Sequence, residues 1–185
     1  MPADRAFGDG SRASVVVPCL RYAGSMSIRI VATVDPRSGR VEARSGEDDP
    51  PIHMDAYPPE GAGAAAAPKE ALLAALAGCT SMDVASILRK KRQHASTYEV
   101  AVSGESVEEH PRVFRSITVE HRVSGAVEAG ALRRSIELSA TRYCPVNAML
   151  SASTTIEHWY RLTGADGTVV EALVAVTGPE GSRVL

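Results

Sequence analysis

Three cysteines, Cys19, Cys79 and Cys144, are the side chains of this 185-residue sequence most able to carry covalent chemistry. Their odd number and wide spacing do not fit the disulfide framework of a small secreted domain. No CxxC motif is present, so a zinc knuckle or a thioredoxin-type pair is not encoded locally. The five histidines show no metal-ligand spacing either, and no metal site is predicted. These features predict free thiols in a reducing cytoplasm.

Cys144 and Cys79 occupy the more informative positions. Cys144 precedes Pro145, a residue favoured at the first position of a helix. A sulfur at that place would face unpaired N–H groups and the positive end of the helix dipole, and both lower a thiol pKa. Cys79 lies among small residues of an apolar segment. For either thiol, a role as a buried apolar filler remains open at this point.

Composition excludes several classes of protein. Hydrophobic residues make up 44% and charged residues 23% of the chain, which is typical of a folded globular domain. A net charge of −2 argues against a nucleic-acid partner bound through phosphate neutralisation. The longest uncharged apolar stretch, Ala71 to Met82, is shorter than the roughly 20 residues of a membrane span. The N-terminus is a poor signal peptide, and neither nucleic acid nor membrane is expected as a partner.

Hydrophobic periodicity predicts an α+β domain. Leucines and small residues at three- and four-residue spacing predict a long helix over 68–92, buried nearly all round in its first half. A second helix is predicted over 127–140 and a short one over 146–150. Alternating apolar and polar residues predict strands over 27–34, 41–44, 52–56, 98–107, 113–123, 154–162 and 168–177.

The segment from Pro68 to Gln93, which contains Gly78-Cys79-Thr80, resembles the central helix of the OsmC/Ohr family (osmotically inducible protein C and organic hydroperoxide resistance protein). Residues 108–114 and 143–146 are similar to a branch of OsmC-like proteins. The resemblance covers residues 26–163. It leaves an N-terminal extension, residues 1–25, and a C-terminal tail, residues 164–185, which is predicted to add a strand.

The resemblance implies a fold, an assembly and an activity. The implied fold is a long, curved antiparallel sheet with two central helices, in an intertwined homodimer whose active sites lie at the interface. The implied activity is a thiol-dependent peroxidase that reduces organic hydroperoxides. Cys79 would become a sulfenic acid and Cys144 would condense with it to a disulfide. No bound cofactor is implied; an external dithiol, in some members a lipoylated protein, restores the thiols.

The sequence departs from the peroxidase pattern ahead of Cys79. That pattern has a glutamate ten positions before the first cysteine, where this chain has Lys69. Glu70 is nine positions before Cys79, which places the two on opposite sides of an ideal helix. Glu70 is therefore a better candidate for a residue that starts the helix than for a catalytic residue. Asp83 follows Cys79 by one turn and either accepts a hydrogen bond in the site or marks the polar side of the helix.

The pattern also includes a distant arginine, and Arg37, Arg40 and Arg44 lie in the matching region. Nothing in the sequence chooses among them, and we take Arg40 as the candidate for the arginine of this pattern.

Two other functions stay open beside the peroxidase. One is a non-catalytic OsmC-like dimer that binds a small apolar ligand at its interface, which the lysine at position 69 favours. The other is a thiol-based redox sensor without turnover.

The implied peroxidase chemistry sets a geometric condition, because a disulfide requires the Cα atoms of Cys79 and Cys144 to come within about 7 Å.

Overall fold

The structure is a computed structural model and describes residues 28–46 and 48–185. Cys19 and the predicted N-terminal extension, residues 1–25, lie outside the described residues. The chain order is β1 (Val31–Val34), β2 (Val41–Arg44), β3 (Ile52–Met54), α1 (Pro68–Lys90), β4 (His94–Ser106), β5 (Phe114–Ala126), α2 (Ala129–Leu138), a π-helical turn (Ser139–Tyr143), α3 (Pro145–Ser151), β6 (Thr155–Thr163), β7 (Val169–Gly178) and β8 (Gly181–Val184).

The strands form two sheets. β1, β2 and β3 make an antiparallel three-stranded sheet, and β4 to β8 make a five-stranded sheet in sequence order. Every neighbouring pair is antiparallel except β5 and β6, which are parallel. A parallel pair needs a long crossover, and the segment from α2 to α3 supplies it. The predicted α+β class is confirmed; the sheet was predicted to be antiparallel, and the parallel pairing of β5 with β6 departs from that prediction.

Most predicted elements are present with shifted ends. β1 begins at Val31, later than the predicted start at residue 27, and α1 ends at Lys90. The second predicted helix divides into α2 and the π-helical turn, and that turn ends directly before Cys144. β7 pairs with β6 and β8 pairs with β7.

Helix α1 is far less covered by its own chain than predicted. Its fully buried side chains are Leu76, Thr80, Val84 and Leu88, which recur every fourth residue and form a single stripe. The expectation of burial nearly all round in its first half is wrong for the single chain, because only Leu76 and Thr80 of that half are buried, and Leu72 is exposed. By length and composition alone α1 could cross a membrane, and 22% of its most apolar stretch is buried inside the chain.

The core of the five-stranded sheet consists of two apolar clusters. One is built around Leu76, Ile117 and Ile156, and contains Cys144. The other is built around Val84, Val123 and Leu162, with α2 packed over it. α1, β5 and β6 each contribute to both clusters, so each of these elements crosses the boundary between them.

Candidate functional site

Cys79, Asp83 and Cys144 meet at one place in the structure. The two sulfurs and a carboxylate oxygen of Asp83 all lie within 4.8 Å of one another. Both thiols are free, Cys144 is buried and Cys79 is partly exposed. The structure therefore brings together the two cysteines and the aspartate that the sequence singled out.

Helix geometry explains this meeting. Cys79 and Asp83 lie on the same face of α1 because residues four apart are neighbours on a helix. Cys144 is the N-cap residue of α3, with Pro145 at the first helical position as expected. Its sulfur accepts a hydrogen bond of 3.3 Å from the backbone N–H of Asn147.

The sequence predicted that the helix start lowers the pKa of the Cys144 thiol, and this prediction is wrong. The pKa of Cys144 is raised to about 12, first because the thiol is buried, then because of its hydrogen bond with Cys79 and the negative charges of Cys79 and Asp83. The Asn147 N–H lowers the pKa but by less. Burial and the Cys79 hydrogen bond each raise the pKa by more than the Asn147 N–H lowers it, and Cys144 is a neutral thiol at physiological pH.

Asp83 has fixed hydrogen-bonding partners in the site. Its Oδ2 accepts a hydrogen bond of 3.0 Å from Ser139 Oγ, and Thr80 Oγ1 lies 3.1 Å from the same hydroxyl. Burial raises the pKa of Tyr98, the Asp83 charge adds to that effect, and the phenol therefore stays protonated. The hydrogen-bonding role left open for Asp83 in the sequence is the one that it has in the structure.

A layer of buried polar side chains crosses the core beside the cysteines. It lies where α1, β5, β6, β7 and the crossover pass between the two apolar clusters, and we call it the polar layer: Thr80, His121, Ser139, Asn147, His158 and Thr177. His158 Nε2 lies 3.0 Å from Asn147 Oδ1, and Tyr98 Oη lies 2.7 Å from His121 Nδ1. Burial lowers the pKa of His121 to about 3 and of His158 to about 4, so both rings are neutral at physiological pH.

Sequence reasoning missed both histidines because it tested them only for metal spacing. The signal was their place in the alternation. His121 lies between Val119 and Val123, and His158 between Ile156 and Tyr160, on the inward-facing positions of their strands.

Lys69, at the position of the family glutamate, ties α1 to the end of the β4–β5 hairpin. Its Nζ donates hydrogen bonds to Ser106 Oγ at 2.5 Å and to the Arg112 carbonyl at 2.6 Å. The ammonium also lies 4.2 Å from the centroid of the Phe114 ring. These contacts give the lysine a structural role away from the thiols.

Glu70 and Arg40, the two weaker candidates, have other partners. Glu70 accepts hydrogen bonds from the Ala67 N–H and the Tyr57 hydroxyl, as a helix-start residue does. These two bonds lower the pKa of Glu70. Along α1 it lies about 13 Å from Cys79, since each residue rises 1.5 Å. Arg40 pairs with the buried carboxylate of Asp55, with Nε 3.7 Å from Oδ2. Neither residue joins the Cys79–Asp83–Cys144 cluster of this chain.

The same cluster is the place where the described residues could hold a metal ion. Two thiolates and a carboxylate are donors that zinc accepts, and three protein ligands would leave one coordination position open. No second group of three such donors occurs among residues 28–46 and 48–185.

Comparison with known proteins shows the family to which this chain belongs. The model of the OsmC-like protein family matches residues 61–158, more than half of the chain. Protein YhfA of Escherichia coli K12 is 39% identical over 102 residues, which are 55% of this chain and 76% of YhfA.

Two solved structures share the fold. The OsmC-like protein from Mycoplasma pneumoniae has a TM-score of 0.64 at 20% identity, over 74% of this chain and 96% of its own. An organic hydroperoxide resistance protein OsmC from Legionella pneumophila has a TM-score of 0.54 at 15% identity, over 71% and 94%. The α+β fold is thus the OsmC-like fold, and the chain belongs to the OsmC-like protein family.

Proposed function

We propose that this protein is a thiol-dependent peroxidase that reduces organic hydroperoxides with Cys79 and Cys144. One observation carries the proposal: the two free sulfurs lie within 4.8 Å of each other, one partly exposed and the other buried. Membership of a family that includes an organic hydroperoxide resistance protein supports the choice of substrate.

The arrangement divides the roles of the two thiols. Cys144 is held as a neutral thiol by its raised pKa, so Cys79 is the nucleophile. The Cys79 thiolate attacks the distal oxygen of ROOH, the O–O bond breaks, and the alkoxide leaves as ROH after taking up a proton. Cys79 is oxidised to a sulfenic acid in this step.

Cys144 completes the cycle. Its sulfur displaces the hydroxyl of the Cys79 sulfenic acid, a disulfide forms, and water leaves with the Cys144 proton. The sulfurs must close from their present separation to about 2.05 Å. An external dithiol, such as a lipoylated protein, then reduces the disulfide and is itself oxidised. The cycle uses no bound cofactor and suits a reducing cytoplasm.

We also propose that the working form is a homodimer. Met82 lies opposite the buried stripe of α1 and is 75% exposed, in the most apolar helix of the chain. The β1–β3 sheet likewise exposes Val31, Val34 and Ile52, and the segment just before it exposes Ile28 and Ile30. Apolar surface of this kind marks an interface, and a second copy of this chain is the occupant that the family resemblance implies.

Thiol counting tests the chemistry directly. In a Cys19→Ser background, one equivalent of an alkyl hydroperoxide is expected to remove two titratable thiols and to yield one equivalent of alcohol. Cys79→Ser in that background should abolish both changes. Cys144→Ser should still consume peroxide once and should leave a sulfenic acid that a dimedone-type reagent traps.

Steady-state turnover with a dithiol separates the alternatives. Continuous peroxide consumption by the Cys19→Ser protein supports the enzyme. A disulfide that forms but does not turn over with any of several dithiols would indicate a redox sensor instead. Retention of both thiols would reject the proposal and leave the apolar-ligand dimer.

A further inference from the structure

The side-chain amide of Asn147 has only one orientation that satisfies its buried surroundings. Its Nδ2 donates a hydrogen bond of 2.7 Å to the Ala140 carbonyl, which can only accept. Its Oδ1 therefore faces His158 Nε2 at 3.0 Å and must accept from it. This assigns the proton of the neutral His158 ring to Nε2 and leaves Nδ1 as an acceptor. Nδ1 of His158 is buried and has no partner among the described residues.

His121 presents the complementary atom. Its Nδ1 lies 2.7 Å from the Tyr98 hydroxyl, which keeps its proton because the phenol pKa is raised. A phenol that donates to Nδ1 places the ring proton of His121 on Nε2. That Nε2 is buried and also lacks a partner in the described part of the chain.

The two unpartnered atoms belong to neighbouring rings. Val119 pairs with His158 and His121 pairs with Tyr160 across β5 and β6, so the histidines are diagonal neighbours on one buried face. His158 contributes to the lowered pKa of His121, as a nearby ring does.

We propose that His121 donates a hydrogen bond from Nε2 to one buried water, that this water donates to Nδ1 of His158, and that the linked pair positions Cys144 through Asn147. The connection to the thiol is short. His158 holds the Asn147 side chain, and the Asn147 backbone N–H donates to the Cys144 sulfur. Both histidines are therefore positioning residues, and the part that concerns the disulfide step rests on the proposed function.

Tautomers give a test that needs no activity. Long-range ¹H–¹⁵N correlation spectra of the reduced protein at pH 7 distinguish protonated from unprotonated ring nitrogens. We expect His121 and His158 both to be neutral and to carry their proton on Nε2. Either ring found with its proton on Nδ1, or charged, would overturn the proposed hydrogen bonds. This result is independent of whether the protein reduces peroxides.

Single-turnover kinetics test the positioning role in the Cys19→Ser background. His158→Leu removes the donor to Asn147, whereas His158→Gln keeps an N–H near the place of Nε2. We expect His158→Leu to slow the conversion of sulfenic acid to disulfide about tenfold, the factor of one net hydrogen bond. The formation of sulfenic acid should change by less than about twofold, since the substitution removes the hydrogen bond between His158 and Asn147, in which Cys79 takes no part.

His158→Gln should recover most of the rate, and His94→Leu, at an exposed position of β4, should leave both steps unchanged. Equal slowing of both steps in His158→Leu, or no slowing of the second, would reject the positioning role. Absence of sulfenic acid in the parent protein would instead count against the proposed function.

Discussion

Ser139 donates a hydrogen bond of 3.0 Å to Oδ2 of Asp83 and so joins the end of α2 to the helix that carries Cys79. The carboxylate held in this way is one of the charges that raise the Cys144 pKa. Burial is the main reason that the Cys144 thiol is neutral, and Asp83 adds to it although it takes no part in the bond changes of the proposed cycle.

Replacing Asp83 by Asn should lower the Cys144 pKa, because the substitution removes a neighbouring negative charge. The measurement is thiolate absorbance against pH with Cys144 as the single thiol, in a Cys19→Ser, Cys79→Ser background. Glu180→Gln, at an exposed position near the C-terminus, is the control. An unchanged or higher pKa in the Asp83→Asn protein would contradict the assigned role.

The raised Cys144 pKa also predicts a loss of stability at alkaline pH. The folded protein holds this proton up to about pH 12, whereas the ordinary thiol pKa is 9.0. The unfolded chain therefore binds fewer protons between these values, and the free energy of unfolding falls as pH rises through them. Urea unfolding of the reduced protein should show this slope, and Cys144→Ser should have a shallower one. Parallel slopes would contradict the prediction.

The lowered pKa of His158 predicts a loss of stability at acid pH. Its folded-state pKa is about 4 against an ordinary value of 6.5, so the unfolded chain binds the proton first as pH falls. The free energy of unfolding should decrease between these two values, and His121 adds to the same trend. His158→Gln should flatten this acid limb in urea unfolding, and His94→Gln should not. A limb as steep in His158→Gln as in wild type would refute the assignment.

Lys69 should stabilise the protein through its ammonium group. Lys69→Met keeps the aliphatic stem but removes the donor to Ser106 and to the Arg112 carbonyl. We expect a loss of about 1 kcal/mol in the free energy of unfolding, the usual size for such hydrogen bonds at a surface. Lys90→Met, at the exposed end of α1, serves as the matched control. A loss no larger than in that control would show that these contacts contribute nothing.

The proposed dimer makes Met82 a sensitive position. Met82→Asp would bury a charge in an apolar interface, and sedimentation should show a shift from dimer towards monomer, by at least tenfold in the dissociation constant. Ser103→Asp adds the same charge at an exposed position of β4 and should leave the association unchanged. A wild-type protein that is monomeric at micromolar concentration would reject the dimer.

The elements that hold the cysteines could be predicted because their signals are local. Proline at the start of α1 and again after Cys144 marks two helix starts, and alternation marks the strands. The i, i+4 relation of Cys79 and Asp83 follows from helix geometry alone.

The chemical state of Cys144 could not be predicted in the same way. Its pKa depends on burial and on charges brought from α1, which are far away in sequence. The inward-facing positions of His121 and His158 follow from the alternation of their own strands, but the meeting of the two rings does not. Only the pairing of β5 with β6 places the two rings side by side.

The crossover between β5 and β6 fixes when the two thiols can meet during folding. α1 and β4 are close in sequence, but Cys144 is seated only after β6 has paired with β5 across the whole intervening segment. Such non-local pairing is the slow part of folding. A chain still emerging from the ribosome therefore carries Cys79 before Cys144 has been made. In the proposed cycle, a Cys79 sulfenic acid formed at that stage would have no resolving thiol in its own chain and would be open to further oxidation.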